Sequence, residues 1–185
     1  MAAAALLLID LQRDYFPGGR YPLAGADEAV ARAARLLGAA RGAGLPAVHV
    51  RHLSTRPDAA FFLPGTEGAL FHPAVAPAPG ETVVEKHFPN SFRETSLGAA
   101  LPAPGAGRLV VAGMMTHMCV DATVRAAADL GYGVVLAADA CATRELVWQE
   151  RVVPAPDVQA AFLAALNGRY AEVLGSDEAA RLLEG

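Results

Sequence analysis

Short apolar runs alternating with stretches of helical period constrain this chain more than any other feature. "AALLLID" (4–10) reads as a buried strand that ends on Asp10. A turn-rich stretch follows, and then "ADEAVARAARLLGAARGAG" reads as a helix, with Asp27 as its N-cap and Gly42 or Gly44 as its stop. Further strands are read at 45–52, 81–87, 107–114 and 133–141, with a sixth in "AEVLGS". Between them, "TSLGAAL" starts a short helix, "THMCVDATVRAAADLGY" reads as one continuous helix, and "DVQAAFLAALNGRY" as the last helix. This order predicts an α/β fold: a mainly parallel six-stranded sheet, doubly wound in the Rossmann manner, with helices on both faces. The 185 residues suit a single domain over 1–185.

In such sheets the ligand crevice lies outside the carboxyl ends of the strands. That rule selects three side chains. Asp10 ends the first strand, Lys86 closes the third, and Cys119 lies just beyond the fourth at the start of a helix. Lys86 is the only lysine, so the other 14 of the 15 Lys+Arg residues are arginine. A cysteine in a first helical turn meets unpaired N–H groups and the positive end of the dipole, which favour thiolate. An ammonium nearby lowers the thiol pKa further, and a carboxylate in reach can take its proton and pass it to a leaving amine. Lysine is compact and its pKa moves on burial, whereas arginine is a wide fork that would crowd a small crevice. Each residue also has an ordinary role: Cys119 as a small core side chain, Asp10 as a turn cap, Lys86 as a solvated surface charge. Their arrival at one sheet edge is the argument for chemistry.

Together, "LLLIDLQRDYF", "VVEKHFPNSF", "VVAGMMTHMCVDATVRAAADLGY" and "DACAT" resemble the isochorismatase-like cysteine hydrolases, in the expected order and over most of the chain. The resemblance implies a three-layer α/β/α fold and an Asp-Lys-Cys triad of Asp10, Lys86 and Cys119. It also implies hydrolysis of C–N bonds in small amides, ureas or carbamoyl compounds. The true isochorismatases of that family lack the cysteine, so its presence favours amide chemistry. A cis peptide would fall between Met114 and Met115, and the N–H groups of Met115 and Cys119 would form an oxyanion hole. A non-catalytic small-molecule binder on the same fold is the alternative.

The nicotinamidases of the family hold a metal with an Asp-x-His pair after strand two. Here "VHVRHLS" puts Arg51 in the place of that Asp, and His49, His52, His72 and His87 have no spacing that makes a ligand set. Neither a metal nor another cofactor is expected. The stretch 53–80 is too long for an ordinary connection and is expected to shape the pocket. Phe16, Phe61, Phe62, Phe88, Asn90, Ser91 and His117 are candidate lining residues, each equally readable as core or turn, with Gln12 a weaker candidate. Cys141 reads as structural.

Other chemistries fit poorly. A haloacid-dehalogenase-type phosphatase needs a second Asp two residues after the first, where Gln12 stands. A dinucleotide site needs a Gly-rich turn that "DLQRDYFPGG" lacks. With a net charge of -4 there is no basic face, so no nucleic-acid partner is expected. The N-terminal apolar run has no basic flank and meets Asp10 too early for a signal or a membrane span. With two cysteines and no disulfide pattern, a cytoplasmic location is expected. A homodimer or homotetramer is expected by resemblance alone.

Overall fold

The computed structural model describes residues 3–185. Its strands are β1 (Ala3–Ile9), β2 (Ala47–His52), β3 (Thr82–Lys86), β4 (Gly107–Met114), β5 (Gly133–Ala142), a β6–β7 hairpin (Leu146–Trp148, Arg151–Val153) and β8 (Glu172–Leu174). The helices are α1 (Ala26–Gly42), α2 (Leu97–Ala100), α3 (Asp121–Asp129), α4 (Ala155–Leu166) and α5 (Ser176–Glu184). Six strands form one sheet in the order β3-β2-β1-β4-β5-β8, and every pair in it is parallel.

Burial on both faces explains the uninterrupted apolar runs. Along β1, Leu6 and Leu8 pack with Val30, Leu37 and Ala33 of α1 and with Leu183 of α5. The alternate residues Leu7 and Ile9 pack with Val120, Val124 of α3 and Leu166 of α4. The sheet is therefore the middle of three layers. The chain winds outward from β1 in one direction and from β4 in the other, so the reversal of strand order lies between these two central strands. That reversal is where an open sheet leaves a crevice at its carboxyl edge.

Several local readings differ. Gly25 rather than Asp27 is the N-cap of α1, and Asp27 sits in its first turn, where its charge faces the helix dipole. The helix read over "THMCVDATVRAAADLGY" is a five-residue π-type turn, Thr116–Val120, that runs directly into α3. The β6–β7 hairpin was not anticipated; three residues per strand leave too little alternation to detect. Nor was α5, although its acidic first turn and the i, i+4 pair Ala179 and Leu183, both buried, carry a helix signal. Among the described residues no helix is long and apolar enough to cross a membrane.

Candidate active site

Two backbone features bring the ends of β1 and β4 together. Gly113 has φ 146°, and a Cβ there would stand 2.1 Å from the Ile9 carbonyl oxygen. Only glycine allows that approach, which coincides with an irregularity in the β4–β5 register. Asp10, the next residue along from Ile9, is left-handed at φ 52° and wholly buried. Non-glycine residues adopt this conformation rarely, and asparagine and aspartate more readily than most. The Met114–Met115 peptide bond that follows Gly113 is cis.

The side chains converge. Lys86 Nζ lies 2.7 Å from Asp10 Oδ2 and donates to Cys119 Sγ at 3.0 Å. It also lies 3.2 Å from His52 Nδ1. Lys86 is 1% exposed and Cys119 6% exposed, so this charge cluster is cut off from bulk water. The Lys86 ammonium stands within hydrogen-bonding distance of Asp10, and among the described residues neither carboxylate oxygen accepts from a backbone N–H or a guanidinium. Burial alone would lower the Lys86 pKa, but the Asp10 carboxylate beside it reverses that, and the net shift is upward. The ammonium stays charged.

The thiol behaves differently from the sequence expectation. Burial and the neighbouring Asp10 carboxylate push the Cys119 pKa well above its ordinary value, and Lys86 offsets this only in part. Neither Lys86 nor the turn's N–H groups outweigh burial and the Asp10 charge, which together favour the protonated thiol. To act as a nucleophile, such a thiol would need a base within reach.

A cavity of about 330 Å³ opens onto Cys119. Tyr15, Phe61, Phe62, Met115 and Met118 line its apolar side, while His52, Ser54 and Arg56 supply polar groups. Residues 54–62 provide much of the wall, as the length of the 53–80 stretch suggested. The aromatic rings brace one another: Tyr15 meets Phe62 edge-on at 4.6 Å, and Phe61 stacks on Tyr21 at 4.4 Å. Asp14, buried, fixes the segment by accepting the Phe62 N–H at 2.7 Å and the Arg20 N–H at 3.1 Å. Gly68 lets that carboxylate in, since a Cβ there would lie 2.0 Å from Asp14 Oδ1.

Other candidates lie elsewhere. Phe16 packs 4.3 Å from the His72 ring, away from this cavity. Phe88 carries the Arg93 guanidinium at 3.6 Å. Asn90 accepts the Phe92 N–H and so forms a turn, and Ser91 is buried against Thr123. His117 bonds Thr143 at 2.6 Å and meets Phe162 edge-on. None of these five lines the cavity onto which Cys119 opens. Tyr15, Asp14 and His52 were not singled out as pocket residues. Tyr15 and Asp14 sit in the turn after β1 that the sheet-edge rule already marked, whereas His52 closes β2 beside Lys86 in register.

Arg51 pairs across the strands with Glu85 at 2.8 Å. His49 bonds Glu81, and His72 accepts the Ala74 N–H. Asp10, His52 and Cys119 form the one trio among the described residues whose ligand atoms, within 4.8 Å of one another, could hold a metal. The Lys86 ammonium contacts all three, so a cation there would have to displace it.

The Isochorismatase domain model matches residues 4–178. The chain belongs to the isochorismatase family. It is 49% identical to the isochorismatase family protein YddQ of Bacillus subtilis over 169 residues, 91% of this chain and 94% of YddQ. The crystal structure of an isochorismatase hydrolase from Oleispira antarctica superposes with a TM-score of 0.92 at 50% identity, covering 97% of each chain. A streptothricin hydrolase of Streptomyces noursei is 38% identical over 94% of this chain, which spans 60% of that protein. A maleamate amidohydrolase of Pseudomonas putida is 30% identical over 97% of this chain and 86% of its own length. The protein is thus an isochorismatase-family hydrolase, with amidohydrolases among its relatives.

Proposed function

We propose that this hydrolase cleaves a C–N bond of a small amide, urea or carbamoyl compound through a covalent thioacyl-enzyme, with Cys119 as nucleophile. The observation that carries the reading is the Cys119 sulfur on the cavity wall. It stands 3.0 Å from an ammonium that is itself 2.7 Å from the buried Asp10 carboxylate. Asp10 takes the thiol proton as sulfur attacks the substrate carbonyl, and Lys86 stabilises the thiolate as it forms. Charge on the carbonyl oxygen develops against the N–H groups of Met115 and Cys119, each such donor supplying about 3 kcal/mol. Asp10 returns the proton to the nitrogen as the C–N bond breaks and the amine leaves. Water, deprotonated by the same carboxylate, then attacks the thioester. The acid departs and sulfur regains its proton.

A carboxylate held by a single ammonium beside a thiol of raised pKa suits this order of events. The apolar wall of Tyr15, Phe61 and Phe62 suits a small substrate and excludes water from the reacting atoms. An ammonia-release screen over small amides, ureas and carbamoyl compounds tests the reading, with Cys119→Ala as control. Turnover by the native chain and a loss of about 10⁴-fold or more in the variant are expected. A Cys119→Ala protein as active as the native one would overturn the assignment and leave a fold that hydrolyses by other means.

A further inference from the structure

His52, like Cys119, touches Lys86 and also lines the cavity. Its position is closely held. Its backbone N–H donates to Gln12 Oε1 at 2.7 Å, and its carbonyl accepts from Gln12 Nε2 at 2.9 Å. Gln12 is itself wholly buried, and the same Nε2 also donates to the Ala69 carbonyl at 2.9 Å. One buried amide therefore clamps the end of β2 from both sides. Register places His52 directly opposite Lys86 on β3.

The ring's protonation pattern follows from its neighbour. An ammonium has three donors and no acceptor, so the His52 nitrogen 3.2 Å from Lys86 Nζ must offer its lone pair. Nδ1 then carries no proton, and in the neutral ring the N–H sits on Nε2. The groups that act on the ring are Lys86, Asp10 and His87, and burial together with the Lys86 charge keeps it neutral, its pKa lowered to about 4. Lys86 is buried and does not line the cavity, whereas His52 does, so with Nδ1 engaged by Lys86 the Nε2 nitrogen is the one left for a ligand there. Among the described residues no protein group bonds Nε2. Ser54, Thr55, Asp58 and His87 share the cavity wall, but none of them bonds this nitrogen, and Asp58 is taken up by the Arg56 guanidinium.

We propose that His52 is a specificity-determining residue: Lys86 locks it as the Nε2–H tautomer, and that N–H donates to a second oxygen of the substrate, a few bonds from the scissile carbonyl. The preferred amides then carry a carbonyl or carboxylate oxygen in the acyl part, and plain alkyl amides leave a partly desolvated donor unpaired. This rests on the proposed amide hydrolysis at Cys119.

Three amides of matched chain length separate the cases: pentanamide, 4-oxopentanamide and succinamate. For the native protein kcat/KM should rise about 10-fold from pentanamide to the neutral carbonyl, or up to about 100-fold for the carboxylate if that is the acceptor used. His52→Phe should erase the preference: kcat/KM falls on all three amides, because Lys86 loses an acceptor, but about 10-fold or more further on the amide that uses the His52 N–H than on pentanamide. His52→Gln, whose carbonyl can accept from Lys86 while its amide donates to substrate, should restore most of the preference. Equal loss on all three amides in His52→Phe, or an undiminished preference, would overturn the proposal.

A second measurement does not depend on turnover. Nitrogen-15 NMR of imidazole-labelled protein at neutral pH should find His52 protonated on Nε2. Titrating succinamate into the Cys119→Ala protein should shift that resonance. An Nδ1–H tautomer, or no shift on titration, would overturn the His52 role whether or not the protein proves to be an amidase. Failure of the ammonia screen with an Nε2–H that still responds to succinamate would instead remove the amide reading alone.

Discussion

The two ends of β3 carry clusters of the same ingredients, assembled to opposite effect. Just before the strand, Glu81 meets the Arg41 guanidinium at 2.7 and 2.8 Å, His49 Nε2 at 2.9 Å and the Ala78 N–H at 2.7 Å. At the far end, Asp10 meets the Lys86 ammonium at 2.7 Å and, among the described residues, accepts from no guanidinium or backbone N–H. Both sites hold a carboxylate, a cation and a histidine. In the first, a planar fork and a backbone N–H fill the carboxylate's acceptor positions, which is how a charge is made structural. Its pKa accordingly falls to about 2, driven first by the Arg41 hydrogen bond. In the second, the cation is a point charge shared among Asp10, His52 and Cys119, with no fork and no backbone N–H on the carboxylate. A buried carboxylate so sparsely bonded is costly for stability and useful for moving a proton.

Exchanging the cations should break the symmetry most visibly. Lys86→Arg should be nearly as damaging to turnover as Lys86→Ala, because a fork cannot occupy a pocket shaped for an ammonium between Asp10, His52 and Cys119. Lys86→Ala should in addition lose about 3–5 kcal/mol of stability, since Asp10 is left buried without a partner. At the other cluster Arg41→Lys should leave turnover unchanged and cost about 1 kcal/mol, as one ion pair remains. Chemical denaturation beside steady-state rates measures both, and a fully active Lys86→Arg protein would make the two clusters equivalent.

The next difference lies in the thiol. Because the Cys119 pKa is raised, thiolate is scarce throughout the neutral range. Iodoacetamide labelling of this cysteine should keep climbing about tenfold per pH unit beyond about pH 8.5, where a free thiol levels off. Asp10→Asn removes a charge that opposes thiolate, so labelling should quicken even as turnover falls by about 10²–10⁴-fold. A plateau near pH 7 in the native protein would mean a preformed thiolate and would sink the base role given to Asp10.

The smallest effect belongs to Glu81. Its folded pKa of about 2 lies below the ordinary 4.5, so its contribution to stability is present above pH 4.5 and is lost as pH falls toward 2. Glu81→Gln should therefore lower stability by about 1–2 kcal/mol at pH 7. The gap in Tm between variant and native protein should close between those two pH values, with kcat unchanged. A gap that persisted at the acid end would assign the effect to shape rather than charge.

The β1, β2, β4 and β5 runs were legible because burial on both faces makes a strand continuously apolar, and Asp10, Lys86 and Cys119 because strand ends of a parallel sheet share an edge. The pocket was legible as a segment, 53–80, and not as side chains. Phe61 and Phe62 face the cavity, while Phe16 and Phe88 close on His72 and Arg93, because an aromatic ring takes whichever partner the loop's path offers it. That path hangs on Asp14, an acceptor for the N–H of a residue 48 positions away.

The sequence by itself therefore determined the layer order, the sheet edge and the three residue types that meet there, since each follows from periodicity along the chain. Only the tertiary structure decided the raised pKa of the thiol, the sparse bonding of Asp10 and the place of His52 beside Lys86. Those depend on burial and on distances of about 3 Å between residues 33 or more positions apart, which no local pattern encodes.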